Sequence, residues 1–356
     1  MKIRPCGFAA GAAVLLLLSG CVETISGQAV KGNERPVPVA SYRDSLDSAI
    51  QTQLKRNDEV RKIDPCSTIN LDAAATLGPI KYIGTDTQAR SCSIEYDVPE
   101  LPGQERETLK KLVPGKVSHI KFGGRLIDRK GRGDFVMSNG GSCSVSRTSG
   151  YIDPVSGTPE TVQYFVSMSG TDLDVEDPRD GCDDMQRVAD ASAGQRQHPT
   201  LRAESKYLPH SKLMTVDPCA PLDALGKDRM AQLTQLQEPF GCLYQIQDGA
   251  AGTAEVSIWS DYSEYKTMPR PDNPYEEVFN VRGVKTELST SGSGPGLQCT
   301  FNAYVDFDDP QAGADPMSRT KQWVGTLSVR GADAKPDCSS LRALTDEAVR
   351  RYQEAK

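Results

Sequence analysis

The tetrapeptide IDPC at residues 63–66 recurs as VDPC at residues 216–219, and this repeat decides how the chain is expected to fold. Three further cysteines follow each copy. Successive cysteines are 26, 51 and 39 residues apart in the first set, and 23, 57 and 39 residues apart in the second. A shared motif, cysteine number and final interval predict that one module has been duplicated. The two sets are Cys66, Cys92, Cys143 and Cys182, and then Cys219, Cys242, Cys299 and Cys338.

Both modules have the same predicted order of elements. Segments with helical spacing follow the motif at residues 71–77 and 222–236, and Asp64 and Asp217 are placed to cap them. Stretches of alternating side chains predict strands, and closing helices are expected at residues 185–191 and 341–353. The predicted fold class is α+β, with two tandem homologous domains, each an antiparallel sheet with flanking helices and two disulfides. The expected strands cover residues 92–98, 117–122, 135–138, 143–152 and 161–169, and then 242–247, 254–260, 278–289, 298–307 and 322–329.

The N-terminus has the pattern of an export signal. Lys2 and Arg4 precede a small and apolar run at residues 8–18, which is shorter than the ~20 residues that a membrane-spanning helix needs. The run ends in LSGC at residues 18–21, which closely resembles the bacterial lipobox and predicts lipid attachment at Cys21. A plain secretory signal with an incidental cysteine is the alternative. Two or more acyl chains hold a protein stably on a bilayer, so we expect a location on the extracytoplasmic face of the cell membrane.

These features divide the chain into five parts. Residues 1–20 are the predicted lipoprotein signal peptide, 21–40 a tether, 41–193 the first module, 194–211 a polar linker, and 212–356 the second module. A further helix is predicted within residues 42–63. Removing residues 1–20 changes the formal net charge from −7 to −9. An acidic surface disfavours nucleic acid and anionic lipid headgroups as partners. The rest of the chain has no second long apolar run, so the lipid is the only expected attachment to the membrane.

An exported chain meets an oxidising environment, so the eight repeated cysteines are expected to form disulfides. Zinc binding is the rival explanation, but the chain has no C-x-x-C pair and has three histidines. Four cysteines allow three pairings, and spacing alone does not choose among them. Our preferred pairing joins the first cysteine to the second and the third to the fourth in each module.

The lipobox, the tether, the Asp-Pro-Cys motif ahead of a helix and the late cysteine that opens another helix resemble actinobacterial cell-envelope lipoproteins, notably those of the mycobacterial type. The resemblance covers most of the mature chain, once per module. It implies a surface-anchored α+β domain without catalytic activity, and it supplies no site residues. Two copies in one chain are a departure from the usual single-domain form.

The sequence offers few residues for catalysis. It has no G-x-S-x-G motif, and His119, His198 and His210 are isolated from one another. The S-x-x-K tetrapeptides at residues 118–121 and 318–321 have no S-D-N or K-T-G partner. An acidic run at residues 172–184 could offer oxygen ligands to calcium, but it lacks the glycine of an EF-hand loop and Pro178 interrupts it, so a solvated loop is the preferred explanation. We therefore predict no enzyme activity, no cofactor and no metal site.

An aromatic group in the second module is the best candidate for a binding surface. Trp259, Tyr262 and Tyr265 follow one another closely, and Tyr275 comes after a proline-rich stretch. Exposed aromatic side chains favour a binding role, although a tryptophan in the core edged by tyrosines is the alternative. The predicted function is binding or accessory work in the cell envelope, with a protein, lipid or glycan as partner. An envelope hydrolase whose site is not recognisable from sequence remains the alternative.

Overall fold

The computed structural model describes most of the chain beyond residue 40. Predictions that concern residues 1–40, including the lipid site at Cys21, lie outside the described residues, as do those on Tyr275 and His119. The described residues are 41–96, 120–126, 134–139, 142–154, 156–168, 179–224, 231–233, 238–248, 252–268, 276–292, 297–332 and 338–355.

The Asp-Pro-Cys motif forms the same capped turn twice. The carboxylate of Asp64 accepts a hydrogen bond from the Cys66 amide at 2.8 Å, and Asp217 accepts one from the Cys219 amide at 3.0 Å. The intervening proline has no N–H group to leave unsatisfied in such a turn. Each aspartate thus caps a turn that leads into a 3-10 segment, Pro65–Thr68 or Ala220–Ala224. The prediction that they cap α-helices is wrong, because the helix that begins at Leu71 is capped by Asn70.

The helix predicted at residues 222–236 is wrong. The described part of this segment contains the second of those 3-10 turns and then a short strand, Ala231–Leu233, which pairs with the strand that follows it. Gly226 disfavours a helix through this segment, and sheet pairing outweighs the local helical spacing. The expected helix within residues 42–63 is present as α1, Ser48–Arg61, which Asp47 caps at its N-terminus. The later helices are α2 Leu71–Ala75, α3 Arg179–Ala191, α4 Ala193–Gln197 and α5 Ser339–Glu354.

The first sheet is antiparallel and has the strand order β1-β2-β3-β6-β5-β4 in the described residues. Helix α3 packs against β5 and β6. Five of these strands match predicted ones, and β1 was not expected. The strands are β1 Ile80–Thr85, β2 Ser91–Tyr96, β3 Ile120–Leu126, β4 Phe135–Asn139, β5 Ser142–Ile152 and β6 Pro159–Met168.

The second sheet repeats this order. From one edge it runs β7-β8-β9-β13-β12-β11-β10, so its first six strands follow the pattern of the first sheet and β10 is an added edge strand. The strand predicted at residues 278–289 is a hairpin, because Arg282 and Gly283 both have positive φ (50° and 82°), as a two-residue type I′ turn requires. Helix α5 packs on β12 and β13. The strands are β7 Ala231–Leu233, β8 Gly241–Asp248, β9 Gly252–Glu264, β10 Glu276–Val281, β11 Val284–Ser291, β12 Gln298–Tyr304 and β13 Trp323–Ala332.

The preferred disulfide pairing is confirmed. The four bonds have Cα–Cα distances between 4.8 and 6.1 Å, and all eight cysteines are buried. In each sheet, the second bond ties a central strand to the closing helix. Loops of 23 to 39 residues each contribute about 3 to 4 kcal/mol by restricting the unfolded chain. The pairs are Cys66–Cys92, Cys143–Cys182, Cys219–Cys242 and Cys299–Cys338.

The two sheets belong to one compact unit, residues 40–356. Tyr82 of the first sheet packs into the core of the second, where its hydroxyl accepts a hydrogen bond from the Trp323 indole N–H at 3.0 Å. Ser318 donates to the carbonyl of Ile83 at 2.5 Å. A polar side chain buried between two such surfaces is stabilising only with its partner present, so the contact specifies one arrangement of the sheets.

The connection between the sheets is not an exposed linker. Its first residues form α4, and its middle pairs with the first motif, since the Asp64 amide donates to the carbonyl of Thr200 at 3.0 Å. Further on, Arg202 and Leu208 are buried. The expectation of a polar surface segment at residues 194–211 is therefore wrong for its second half, because this segment fills the space between the two sheets.

Candidate functional site

The aromatic group predicted in the second sheet does not form one surface. Tyr262 is buried, with its ring edge-on to Trp323 at a centroid distance of 6.4 Å. Trp259 lies on the opposite face of β9, where its ring covers Gly241 of the neighbouring strand. Tyr265 is 39 % exposed and contacts Phe307. Strand β9 continues through Trp259 and Tyr262 and ends before Tyr265. Because successive side chains of a strand alternate between its faces, the three-residue separation of Trp259 and Tyr262 places them on opposite faces.

A groove of about 540 Å³ lies instead at one end of the first sheet. It is bounded by α1, by the end of the β5–β6 hairpin and by α4, and we call it the groove below. Its volume falls in the range of pockets that hold small ligands. The polar lining includes Arg56, Thr68, Ser149, Tyr151, Glu160 and Arg196, and the apolar lining includes Val60, Ile63, Val162 and Pro199.

A β-bulge shapes one wall of the groove. The pairing of β5 with β6 shifts register between Thr148 and Ile152, so that extra residues of β5 bulge away from the ladder. Gly150 lies within the bulge at φ 88°, a backbone conformation that residues other than glycine adopt only with strain. The bulge brings Tyr151 next to α1.

An ion pair fixes the same wall. The Arg56 guanidinium donates to Glu160 through Nε, at 3.1 and 3.2 Å to the two carboxylate oxygens, and through Nη2 at 2.9 Å. Its Nη1 donates to Glu59 at 2.8 Å, and the guanidinium lies 4.0 Å from the centroid of the Tyr151 ring. Burial opposes the charge of Arg56, but the hydrogen bonds to the two carboxylates outweigh burial and raise its pKa. Because Arg56 already pairs with two carboxylates, its charge is not available to a ligand in the groove.

Arg196 is held differently. Its Nε donates to the Thr148 carbonyl at 3.3 Å, and its Nη1 donates to the Tyr164 hydroxyl at 3.2 Å and to the Ala189 carbonyl. The Tyr164 hydroxyl in turn donates to the carbonyl of Thr68 at 2.9 Å. All these acceptors are neutral. The guanidinium is thus positioned at the floor of the groove with its charge uncompensated by any carboxylate in the described residues.

The corresponding end of the second sheet is closed. Asp306, just after β12, accepts hydrogen bonds from Ser211 at 2.5 Å and from the Tyr352 hydroxyl at 2.7 Å. The segment between β12 and β13 is much longer than its counterpart between β5 and β6, and Gly313 within it packs against the backbone of Tyr207. This end of the second sheet therefore carries a longer segment and these hydrogen bonds, where the first sheet has a short hairpin turn.

The described residues offer no arrangement typical of covalent catalysis. The groove lining contains no histidine or cysteine. In the second S-x-x-K tetrapeptide, Ser318 donates to a backbone carbonyl and Lys321 pairs with Glu95, so the serine and lysine do not act on each other. Within the described ranges, no three metal-binding side chains lie close enough to hold an ion, and none of the helices has the length and apolar character for crossing a membrane.

Comparison with known proteins gave no match: no family model matches the chain, and no curated protein or solved structure is significantly similar to it. The groove residues were also missed by sequence reasoning. Arg56 and Glu160 are 104 residues apart, so no local spacing links them. The one available signal was the odd glycine at position 150 inside an alternating strand, which is typical of a bulge near a site.

Proposed function

We propose that the protein is a lipid-anchored, extracytoplasmic binding protein of the cell envelope, and that the groove holds its ligand. The observation that carries the proposal is the preformed groove, in which a bulged strand, a paired arginine and an uncompensated arginine converge. Groups held in place before a ligand arrives lose little entropy when it binds. The LSGC motif at residues 18–21 supports attachment through Cys21.

We further propose that the chain contains two tandem homologous domains from a duplication. The matching strand orders of the two sheets and the matching positions of their disulfides support this. The first domain keeps an open end and binds the ligand. The second, closed at Asp306, serves as a scaffold that buries Tyr82 and so holds the first domain in place.

The anchor is tested by growing the source bacterium, or a host that lipidates such proteins, with an alkyne analogue of palmitate. The wild-type chain should incorporate the label and Cys21→Ala should not. Cys6→Ala is the matched control, since that cysteine lies in the peptide that is removed, and it should be labelled normally. Label retained in Cys21→Ala would contradict attachment at this residue.

The groove is tested by native mass spectrometry of the full chain purified in detergent from its own envelope. We expect a co-purified small molecule on the wild-type protein. Gln197→Trp, which places a large side chain at the groove, should lose it. Ala193→Trp is the control, because it lies one turn earlier on α4, is exposed, and does not line the groove. An equal amount of bound molecule in both variants would overturn the assignment of the groove.

A further inference from the structure

We propose that the ligand of the groove carries an anionic group, a carboxylate or a phosphate, and that the Arg196 guanidinium holds it. This inference rests on the proposed function of the groove and names the chemical class of its ligand. The side chain that carries it was expected to lie in an exposed linker, but it lies in a short helix against the first sheet.

The first argument is charge. Arg196 has no carboxylate oxygen within 4.0 Å among the described residues, and it donates there to two backbone carbonyls and one phenol. Arg56, on the facing wall, is shared by two carboxylates. Arg147, on β5, pairs with Asp190. The charges of the paired arginines are already engaged by carboxylates. Arg196 is half-buried and contacts only neutral dipoles, so its charge remains available to attract an anion.

The second argument is access. Arg202 also lacks an ion pair in the described part of the chain, but it is buried between the two sheets, with its guanidinium 5.2 Å from the ring centroid of Phe240. Arg196 is only partly buried and lines the groove. Its Nη2 donates to no side chain or carbonyl in the described residues. A ligand can therefore reach this nitrogen, whereas it cannot reach Arg202.

The third argument is preorganisation. The Tyr164 hydroxyl donates to the Thr68 carbonyl, so its oxygen lone pairs face the Arg196 donor. Tyr164 is fully buried, and its ring centroid lies 5.7 Å from the guanidinium carbon. The plane of the guanidinium is thus set before a ligand binds. A planar fork held in one orientation matches the oxygens of a carboxylate or phosphate better than a mobile ammonium does.

The rest of the groove fits the neutral part of such a ligand. The ion pair of Arg56 with Glu160 and the side chains of Val60 and Val162 present a wall with little free charge. The groove thus has one end that attracts an anion and a larger part suited to uncharged polar or apolar groups.

The test uses the full chain in detergent, labelled with ¹⁵N-arginine, and follows the side-chain Nε–Hε resonances by NMR. The probes are inorganic phosphate and acetate, with chloride at equal ionic strength as the control salt. The Arg196 resonance should shift saturably with one of the two probes, and the Arg56 resonance should report the same dissociation constant. The exposed Arg187 should respond only to ionic strength. No saturable shift at Arg196 with phosphate, with acetate or with the phosphatidylglycerol used below would overturn the proposal.

Two variants make the result specific. Arg196→Gln should weaken the probe at least tenfold, as read from the Arg56 resonance, and Arg196→Lys should recover part of the affinity because it keeps the charge. Unchanged affinity in Arg196→Gln would refute the assignment even if the fold is intact. Phosphatidylglycerol added to the micelles identifies the source: a response to this lipid and not to inorganic phosphate assigns a lipid headgroup, and the reverse assigns a soluble anion.

The outcomes separate this inference from the proposed function. If Gln197→Trp loses the co-purified molecule while Arg196→Gln retains it in full, the groove binds a ligand without an anion on Arg196, and this inference fails alone. If the probe binds at Arg196 while Gln197→Trp keeps its co-purified molecule, the anion site stands and the groove is not where that molecule binds.

Discussion

Replacing Asp261 with asparagine should stabilise the protein above neutral pH. Asp261 lies where the two sheets meet, and its carboxylate accepts a hydrogen bond from the Ala89 amide at 3.0 Å. Burial is the main cause that raises its pKa to about 7; the nearby charges of Asp86 and Glu238 act in the same direction, and the hydrogen bond from Ala89 and the charge of Arg90 act against it. A buried carboxyl with such neighbours favours its neutral form.

The sign follows from linkage. The pKa in the folded state lies above the ordinary value of 3.8, so the folded protein binds this proton more tightly than the unfolded chain does. The stability associated with the proton is present below pH 3.8 and is lost as the pH rises through about 7. A pKa change from 3.8 to about 7 corresponds to at most about 4 kcal/mol. Because the side chain keeps some exposure, solvent relaxation reduces this to about 1 to 3 kcal/mol at pH 8.

The assay is guanidinium chloride unfolding with the disulfides intact, followed by circular dichroism and fluorescence to check that the two transitions coincide. The free energy of unfolding of Asp261→Asn should match that of the wild type at pH 4 and exceed it by the stated amount at pH 8. Asp309→Asn, an exposed carboxylate of the same half, should differ from the wild type by less than about 0.5 kcal/mol at both values. A difference for Asp261→Asn that does not depend on pH, or a loss of stability at pH 8, would refute the reasoning.

Three further predictions concern stability, each measured by chemical denaturation at neutral pH. Glu160→Gln removes one of the charged partners of the partly buried Arg56, and should lower the free energy of unfolding by about 1 to 3 kcal/mol; no change would show that the groove wall does not depend on this pair. Cys143→Ala combined with Cys182→Ala opens a 39-residue loop and should cost about 4 kcal/mol, and a cost under about 1 kcal/mol would contradict a stable bond between these cysteines. Trp323→Phe removes the indole donor that bridges the two sheets and should cost about 1 to 2 kcal/mol more than the control Trp259→Phe, whose side chain lies on the other sheet face; equal costs would count against the bridge.

Features that depend on short stretches of chain could be predicted from the sequence. The strands β5, β8 and β12 have the alternation of a half-buried strand. The turn of the Asp-Pro-Cys motif follows from an aspartate that lies two residues before the amide it caps. The preferred disulfide pairing could be proposed for a related reason. Each pairs cysteines fewer than 40 residues apart within one set of neighbouring strands and helices.

The aromatic group shows where this reasoning stops. The sequence places Trp259 and Tyr262 close together, but a strand that continues through both sends them to opposite faces, and only the packing of the second sheet against the segment around Tyr82 decides which face is covered. The raised pKa of Asp261 also could not be read from the sequence, since the burial that raises it depends on the first sheet lying against the second.

The sequence by itself determined the repeat and the α+β class, and it limited each set of four cysteines to three pairings. The tertiary structure alone decided that the second half of the segment 194–211 is packed between the sheets, that a groove lies at one end of the first sheet, and that Arg196 lines this groove without a carboxylate partner in the described residues. The physical reason is that local patterns depend on neighbours along the chain, whereas a cavity and its charge depend on which distant surfaces come together and which polar groups they leave for a ligand.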